Sequence, residues 1–248
     1  MINIKEISDR VLFALSVPKC IACREPLDYG RKAFCPECSA KFEEIKSRNC
    51  SRCAKRLCEC SCSNEYLEGH FIRRVIKSFR YIIRDEINPA NALVFSLKKD
   101  NRRDVLELAA REMAYAIRCS VKNPEEYIFT NIPRRKSEII SKGYDQAAVL
   151  AEAVAKEIGA EYILFLKSKS KSAQKSLEHE ERLKNADFSI VKDTDLTGRS
   201  VIIVDDVITT GASMGTAATL IRSLGAKTIL AASLGIAYKD KYELSIKR

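Results

Sequence analysis

The chain has 248 residues, of which 46% are apolar and 31% carry a charge. That length and mixture can bury a substantial core, and they exclude disorder as the default state. Lysine and arginine total 43 against 33 acidic residues, a formal net charge of +10. Such an excess favours phosphate-rich partners, although a solvated lysine-rich surface gives the same count. Aromatic residues make up only 7% and tryptophan is absent, which argues against a surface built to stack many bases.

The first ten residues carry charges where a secretory signal needs an uninterrupted apolar core. A membrane-spanning helix needs a run of about 18 uncharged apolar residues, and the sequence contains no such run. We therefore expect a soluble, cytoplasmic protein without membrane insertion.

Nine of the ten cysteines lie between Cys20 and Cys62. Thiols stay reduced in the cytoplasm, where a dense cysteine cluster is typical of zinc sites rather than of disulfides. Two Cys-x2-Cys pairs at zinc-ribbon spacing come first, and a second set then supplies five thiols for four positions. We predict two structural zinc ions, each held by four thiolates, with free or redox-active thiols as the alternative. The predicted ligands are Cys20, Cys23, Cys35, Cys38, Cys50, Cys53, Cys58, Cys60 and Cys62, one of the last three being surplus.

Two tetrathiolate zinc sites would lower the net charge to about +6, which is still basic. The cysteine distribution also predicts the domain organisation, with residues 1–66 as an N-terminal helix and double zinc ribbon and residues 67–248 as a larger domain. His70 near the junction is a further candidate ligand that the five thiols make unnecessary. Cys119 stands alone in a helical stretch, so we expect it to be a small buried apolar side chain.

The larger domain alternates strand-like and helix-like segments. Hydrophobic periodicity predicts helices over 103–118, 144–158 and 212–224, and strands over 127–131, 162–166, 201–204 and 228–234. Glycines at 159 and 225 mark helix ends. Strands and helices in repeated alternation indicate an α/β fold, a parallel sheet flanked by helices.

One segment, residues 201–213, combines a strand, two carboxylates and a turn of small residues that opens a helix. In parallel sheets, ligands bind beyond the carboxyl ends of strands, and the amides of such a turn suit an anion. Carboxylates beside an anion site are suited to accept hydrogen bonds from sugar hydroxyls. The alternative is a strand end followed by a threonine-capped helix. The candidate binding residues are Asp205, Asp206, Thr209, Thr210, Gly211, Ala212 and Ser213.

This segment closely resembles the phosphoribosyl pyrophosphate (PRPP) motif of type I phosphoribosyltransferases. The resemblance implies that the acidic pair holds the ribose 2′- and 3′-hydroxyls and that the Thr-Thr-Gly turn holds the 5′-phosphate. From Cys20 to about Gly235 the chain further resembles the ComF family of competence-associated proteins, which join a double zinc ribbon to a phosphoribosyltransferase-like domain. The stretch Asn131 to Lys136 resembles the pyrophosphate-side loop of that family, and Lys142 to Gln146 its Arg-Gly-Phe-Asn-Gln stretch.

The resemblance adds further candidate residues. Arg134 and Arg135 are expected to neutralise the diphosphate, since arginine pairs with phosphate in a fork. Residues 167–184 correspond to a mobile hood, with Lys171, Gln174 and Lys175 as candidates to close on PRPP, or else form an ordinary exposed loop. The usual Leu-Lys-Tyr of the family is Leu97-Lys98-Lys99 here, which weakens the match in that region.

What the resemblance implies is PRPP binding with magnesium, in a protein associated with DNA uptake and natural transformation. Three functions stay open: transfer of a phosphoribosyl group, PRPP binding without turnover, and a zinc-ribbon DNA-binding adaptor with a vestigial pocket. No catalytic residue or acceptor is assigned. The partners expected by resemblance are single-stranded DNA and a competence helicase or recombination proteins.

Overall fold

The structure is a computed structural model that describes residues 17–50, 52–63, 65–72, 74–81, 88–99, 102–168, 188–191 and 194–237. Its centre is a five-stranded sheet with the order β1-β7-β6-β2-β3, in which every neighbouring pair is parallel. These strands are β1 (Val75–Tyr81), β2 (Ile128–Asn131), β3 (Glu161–Tyr162), β6 (Ser200–Ile208) and β7 (Thr228–Ala237). A separate antiparallel pair is formed by β4 (Leu166–Ser168) and β5 (Phe188–Ile190).

Helices cover both faces of the sheet, as a parallel sheet requires. They are α1 (Pro36–Ser47), α2 (Glu65–Glu68), α3 (Pro89–Lys99), α4 (Arg103–Ser120), α5 (Lys136–Lys142), α6 (Gln146–Ile158) and α7 (Ala212–Ser223), with 3-10 turns at Leu57–Glu59 and Pro124–Glu126. Buried side chains of α3, α4 and α6 share one core cluster, whereas α2 and α7 contribute to a second. The predicted α/β fold, a parallel sheet between helices behind a cysteine-rich N-terminal module, is confirmed.

The N-terminal module is joined to the sheet by aromatic side chains. Phe42 on α1 lies 5.2 Å from Phe34 and 5.7 Å from Phe79 of β1, measured between ring centroids. Phe42 and Phe79 are almost completely buried in the same core cluster. The module therefore shares its core with the larger domain. The boundary between residues 66 and 67 stays a prediction, and it falls within α2.

The predicted strands differ from the structure in length: β2 begins one residue later than predicted, and β7 continues three residues further, to Ala237. The strand predicted over 162–166 ends after Tyr162, because the chain leaves β2 and pairs with β5 from Leu166 onward. The strand predicted over 201–204 continues to Ile208, since its ladder with β7 continues through Asp205 and Val207. The predicted helices at 103–118, 144–158 and 212–224 correspond to α4, α6 and α7 within two residues at each end.

Among the described residues, none of the helices has the length and apolar character needed to cross a bilayer. The helix expected near the N-terminus lies outside the described residues.

Candidate functional site

The cysteines of the N-terminal module form two groups of four. Within each group the sulfur atoms all lie within 4.8 Å of one another, which a single tetrahedral ion requires. The first group is Cys20, Cys23, Cys35 and Cys38, and the second is Cys50, Cys53, Cys60 and Cys62. Four thiols at this separation suit a soft, tetrahedral metal ion.

Cys58 lies outside the second group. Burial, followed by its neighbour Cys119, raises the pKa of the Cys58 thiol. The hydroxyl of Ser120 donates to the carbonyl of Cys58 at 2.6 Å, which holds the 3-10 turn against the end of α4. Contrary to expectation, Cys119 is exposed rather than buried. His70 also lies outside both groups, since its Nδ1 is 2.7 Å from the carbonyl oxygen of Tyr66 and its ring stacks on that tyrosine.

A buried lysine lies beside the second cysteine group. Lys77 of β1 is completely buried, and its Nζ lies 3.2 Å from the carbonyl oxygen of Cys62 and 3.5 Å from that of Cys60. Buried ammonium groups need such acceptors. The first group has a comparable feature, since backbone amides lower the pKa of the Cys20 thiol to about 7 although burial opposes them. Burial has the opposite effect on other members of the groups, since it raises the pKa of the Cys38 thiol in the first group and that of the Cys62 thiol to about 12 in the second.

The two adjacent carboxylates lie within β6 rather than beyond its end. Asp205 pairs in register with Ser233 of β7, and the ladder continues to Ile208. The Oδ1 atom of Asp205 accepts a hydrogen bond from the Asp206 amide at 2.9 Å, and Oδ1 of Asp206 accepts one from the Val207 amide at 2.7 Å. The backbone of the strand thus fixes the orientation of both carboxylates.

Asp206 is buried between two cations from distant parts of the chain. Arg134, in the loop after β2, donates to Oδ2 at 2.7 Å, and Nζ of Lys98 at the end of α3 lies 3.3 Å from Oδ1. Burial lowers the pKa of Arg134, but the carboxylates of Asp206 and Asp205 outweigh it and raise the pKa overall. Arg134 therefore serves first to neutralise Asp206, whereas Arg135 next to it is exposed.

Asp205 has a different environment. Burial and the neighbouring charge of Asp206 raise its pKa to about 7, against the opposing influence of Arg134. Two carboxylates this close cannot both ionise freely, since like charges disfavour each other. Near neutral pH, Asp205 therefore interconverts between a form that accepts hydrogen bonds and a form that donates one.

The turn after β6 leads directly into α7. Gly211 is the N-cap of that helix and has φ +86°, and a Cβ there would lie 2.9 Å from the buried side chain of Leu67. Thr209, Thr210 and Ser213 are exposed around it, and Oγ1 of Thr210 accepts from the Ala212 amide at 3.3 Å. The turn therefore presents hydroxyls and a helix N-terminus on the same side, the arrangement that binds phosphate.

Further polar residues meet near Arg134. The hydroxyl of Tyr162 donates to Oδ1 of Asn131 at 2.7 Å, while Asp145 caps α6. Gln146 begins that helix and is 2% exposed, and neither of its amide atoms has a hydrogen-bond partner among the described residues. Nε of Arg134 is also buried without a partner there. Buried polar groups normally have a hydrogen-bond partner, so water, an ion or a ligand would satisfy these atoms.

Sequence reasoning missed three of these contributions. In the sequence, Lys98 is only the matching lysine of a motif that departs at Lys99, Gln146 is only part of a resemblance, and Tyr162 is only a strand residue. The pairing of Lys98 with Asp206 joins α3 to β6 and leaves no local signal in the sequence. The predicted hood residues Lys171, Gln174 and Lys175 lie outside the described residues.

This arrangement fits a sugar phosphate bound with a divalent cation. Hydroxyls and amides of the β6–α7 turn suit a phosphate, and the half-buried carboxylate of Asp205 suits a sugar hydroxyl. Magnesium is normally held largely by substrate phosphates and water, so this chain needs to supply few ligands of its own.

Several known proteins are similar to this chain in sequence or in structure. The model for the phosphoribosyl transferase domain matches residues 145–245. The competence protein ComFC of Streptococcus pneumoniae is 26% identical over 205 residues, which cover 81% of this chain and 86% of that protein. The DNA utilization protein YhgH of Escherichia coli O157:H7 is 24% identical, with coverages of 87% and 96%. A solved purine phosphoribosyltransferase from Pyrococcus horikoshii is 19% identical over 53% of this chain and 73% of that one, with a TM-score of 0.37.

The domain match includes β6, the turn after it and α7, where the two carboxylates and the helix N-terminus lie. The two relatives extend over most of the chain, which also carries the two cysteine groups. The expected resemblance is thereby confirmed: the chain is similar over most of its length to proteins named competence protein ComFC and DNA utilization protein YhgH, and residues 145–245 match the phosphoribosyl transferase domain behind a module of two four-cysteine groups.

Proposed function

We propose that the chain binds PRPP with magnesium at the β6–α7 turn and acts in the uptake or use of DNA. One observation carries this proposal: Asp205 and Asp206 lead into an exposed turn of Thr209, Thr210 and Gly211 at the start of α7. The match to the phosphoribosyl transferase domain covers all of these residues.

Each group of PRPP has a counterpart in this proposal. The 5′-phosphate binds the amides and hydroxyls between Thr209 and Ser213, and the ribose hydroxyls donate to Asp205. Asp206 orients Arg134 and is itself neutralised by it. Arg135 is exposed beside this pair, where it would neutralise the diphosphate.

The reaction that such a site supports is displacement of pyrophosphate from ribose C1. The bond between C1 and the pyrophosphate oxygen breaks, and a bond between C1 and an acceptor nucleophile forms. Bound magnesium would stabilise the charge that develops on the leaving diphosphate. The protein contributes positioning and electrostatic stabilisation, so a nucleophilic side chain is unnecessary.

We infer that each four-cysteine group holds one zinc ion with a structural role. Four thiolates close the tetrahedron and leave no position for water or substrate. The module then presents its exposed surface to a partner, and the names of the two relatives suggest that DNA is involved.

Calorimetric titration of magnesium PRPP into the zinc-loaded protein tests the proposal. We expect saturable binding that Asp205→Asn and Ser213→Ala weaken by about tenfold or more, since each removes a hydrogen bond to a charged or hydroxyl group of the ligand. The matched control is Ser223→Ala, near the far end of the same helix, where the hydroxyl bonds only to Leu220. Absence of binding by the wild-type protein would contradict the proposal.

The second candidate function is DNA binding without PRPP, favoured by the names of the relatives and the net charge of +10. Affinity for an oligonucleotide should then fall steeply with salt and survive Asp205→Asn. Arg48 and Arg52 are poor test residues, because Arg48 pairs with Glu44 and Arg52 bonds to the Ser63 carbonyl. Arg24 and Arg31 of the first ribbon are exposed and suit alanine substitution better.

A further inference from the structure

A second cleft lies between the cysteine-rich module and α4. It has a volume of about 620 Å³, within the range of small-molecule sites. One wall is the end of α1 with Arg56 and Cys58 from the second ribbon, and the other is the middle of α4. Its lining includes none of the residues between Asp205 and Ser213. Sites of this kind occur preferentially where two structural units meet.

A buried hydroxyl in this cleft has no partner. Ser78 of β1 lines the cleft and is 6% exposed, and its Oγ makes no hydrogen bond to any described residue. A hydroxyl removed from water normally finds a donor or acceptor, since leaving it unpaired is costly. Ser78 belongs to the lining of the cleft, so a molecule bound there would supply the missing partner once the hydroxyl rotates towards it.

Two carboxylates of the lining face Lys46, and Arg111 is the cation of the cleft that forms no ion pair among the described residues. Lys46 is already neutralised by Glu112 at 2.7 Å and by Glu43 at 3.0 Å. Arg111 lies on α4 in the same lining, and in the described part of the chain it forms no ion pair. Its guanidinium therefore has all its donors free for a carboxylate or phosphate, which arginine binds in a fork.

The remaining lining is suited to a flat or apolar body. Leu108 and Ala116 lie one turn on either side of the middle of α4, and Tyr115 is 52% exposed beside them. A tyrosine ring offers a large surface for stacking at low entropic cost. An anionic head group at Arg111 and a planar body against Tyr115 would leave a polar atom facing Ser78.

We propose that this cleft is a binding site for a small organic anion, a phosphate or carboxylate group carried on a planar or apolar body. A ligand in this cleft contacts both the cysteine-rich module and α4. Ligand binding therefore stabilises the packing of the module against α4. The site is independent of PRPP and of the β6–α7 turn.

Adenosine monophosphate and benzoate serve as the two probes, each titrated into the zinc-loaded protein by calorimetry. At least one of them should bind, with phosphate or carboxylate preference shown by which one does. Ser78→Val fills the floor of the cleft and Arg111→Ala removes the free cation, so each should raise the dissociation constant at least about tenfold. Arg103→Ala, on the same helix but outside the cleft, should leave it unchanged.

Arg111 and Arg103 are exposed, so their variants should keep two zinc ions per chain and confirm that folding is intact. Failure of both probes to bind at millimolar concentration would overturn the proposal. Binding that Asp205→Asn abolishes and that Ser78→Val and Arg111→Ala preserve would also overturn it, since the probe would then occupy the β6–α7 turn.

Discussion

The guanidinium of Arg134 donates to the carboxylate of Asp206 at 2.7 Å, across 72 residues of sequence. The pair lies against Lys98, so one buried carboxylate balances two cations. This arrangement holds the loop after β2 and the end of α3 beside β6. It also separates the roles of the two adjacent aspartates, because Asp206 forms ion pairs with both cations, whereas Asp205 forms no ion pair within the described part of the chain.

Removing the charge of Asp206 should therefore destabilise the protein. In Asp206→Asn, Arg134 and Lys98 lose the buried carboxylate that they share, and breaking a largely buried ion pair costs about 2–4 kcal/mol. Chemical denaturation measures the change in the free energy of unfolding. Glu107→Gln breaks an exposed pair with Arg103 and should cost less than about 1 kcal/mol. Equal losses in the two variants would show that Asp206 has no such structural role.

The pKa of Asp205 predicts how stability depends on pH. The folded protein holds the Asp205 proton up to about pH 7, whereas an unfolded aspartate loses it near pH 4. The folded state binds the extra proton between these values, so the free energy of unfolding falls as the pH rises through that window and is flat above it. Asp205→Asn cannot ionise, and we expect it to gain about 1–3 kcal/mol over wild type at pH 8 and almost nothing at pH 4.

Urea denaturation at several pH values measures this gain. Asp195→Asn is the control, because a hydrogen bond from Thr197 lowers the pKa of exposed Asp195 and gives its variant the opposite pH trend. A stability difference for Asp205→Asn that does not change between pH 4 and pH 8 would mean that the pKa of Asp205 is not raised.

Zinc content should separate Cys58 from its neighbours. Cys60→Ser removes a member of the second group, so we expect the metal content to fall from two zinc ions per chain towards one. Cys58→Ser should retain both ions, since Cys58 lies outside the group. Elemental analysis of the purified variants measures the number of zinc ions per chain. Loss of an ion from Cys58→Ser, with full content in Cys60→Ser, would reverse this assignment.

Gly211 and Gly30 allow backbone strain to be separated from a steric contact. Both have φ above +80°, but a Cβ at Gly30 meets nothing within 4 Å, whereas one at Gly211 lies 2.9 Å from Leu67. Gly30→Ala should lose about 1 kcal/mol from the left-handed conformation alone. Gly211→Ala should lose about 2–3 kcal/mol, because Leu67 is fully buried and cannot move freely. Similar thermal shifts for both variants would contradict the role of this contact.

The sequence predicts those features of the fold and the site that depend on residues close together in the chain. The spacing of the cysteines predicted two groups and one surplus thiol, but alternate residues in Cys-Glu-Cys-Ser-Cys are equivalent in sequence. The choice against Cys58 comes from the 3-10 turn at Leu57–Glu59 and its bond to Ser120. Likewise, the motif at 201–213 located the carboxylates, whereas the cations around Asp206 come from two other elements and became visible only in the fold.

The local sequence pattern also predicts poorly whether a side chain is exposed or buried. Cys119 follows a helical apolar periodicity, but it falls at the last turn of α4, where the helix passes the edge of the core. Lys77 shows the converse, since a charged residue in a strand of mixed pattern is completely buried. Its Nζ lies beside carbonyl oxygens of the second cysteine group, about 15 residues earlier in the chain.

The central claim is that PRPP binds at the β6–α7 turn, and a crystal structure of the zinc-loaded protein with magnesium PRPP tests it most directly. The account predicts the 5′-phosphate against the amides of Thr209 to Ser213 and the ribose hydroxyls against Asp205. It also predicts that the pair of Arg134 with Asp206 persists in the complex. Electron density for PRPP at any other place on the molecule, with the turn empty, would contradict the account.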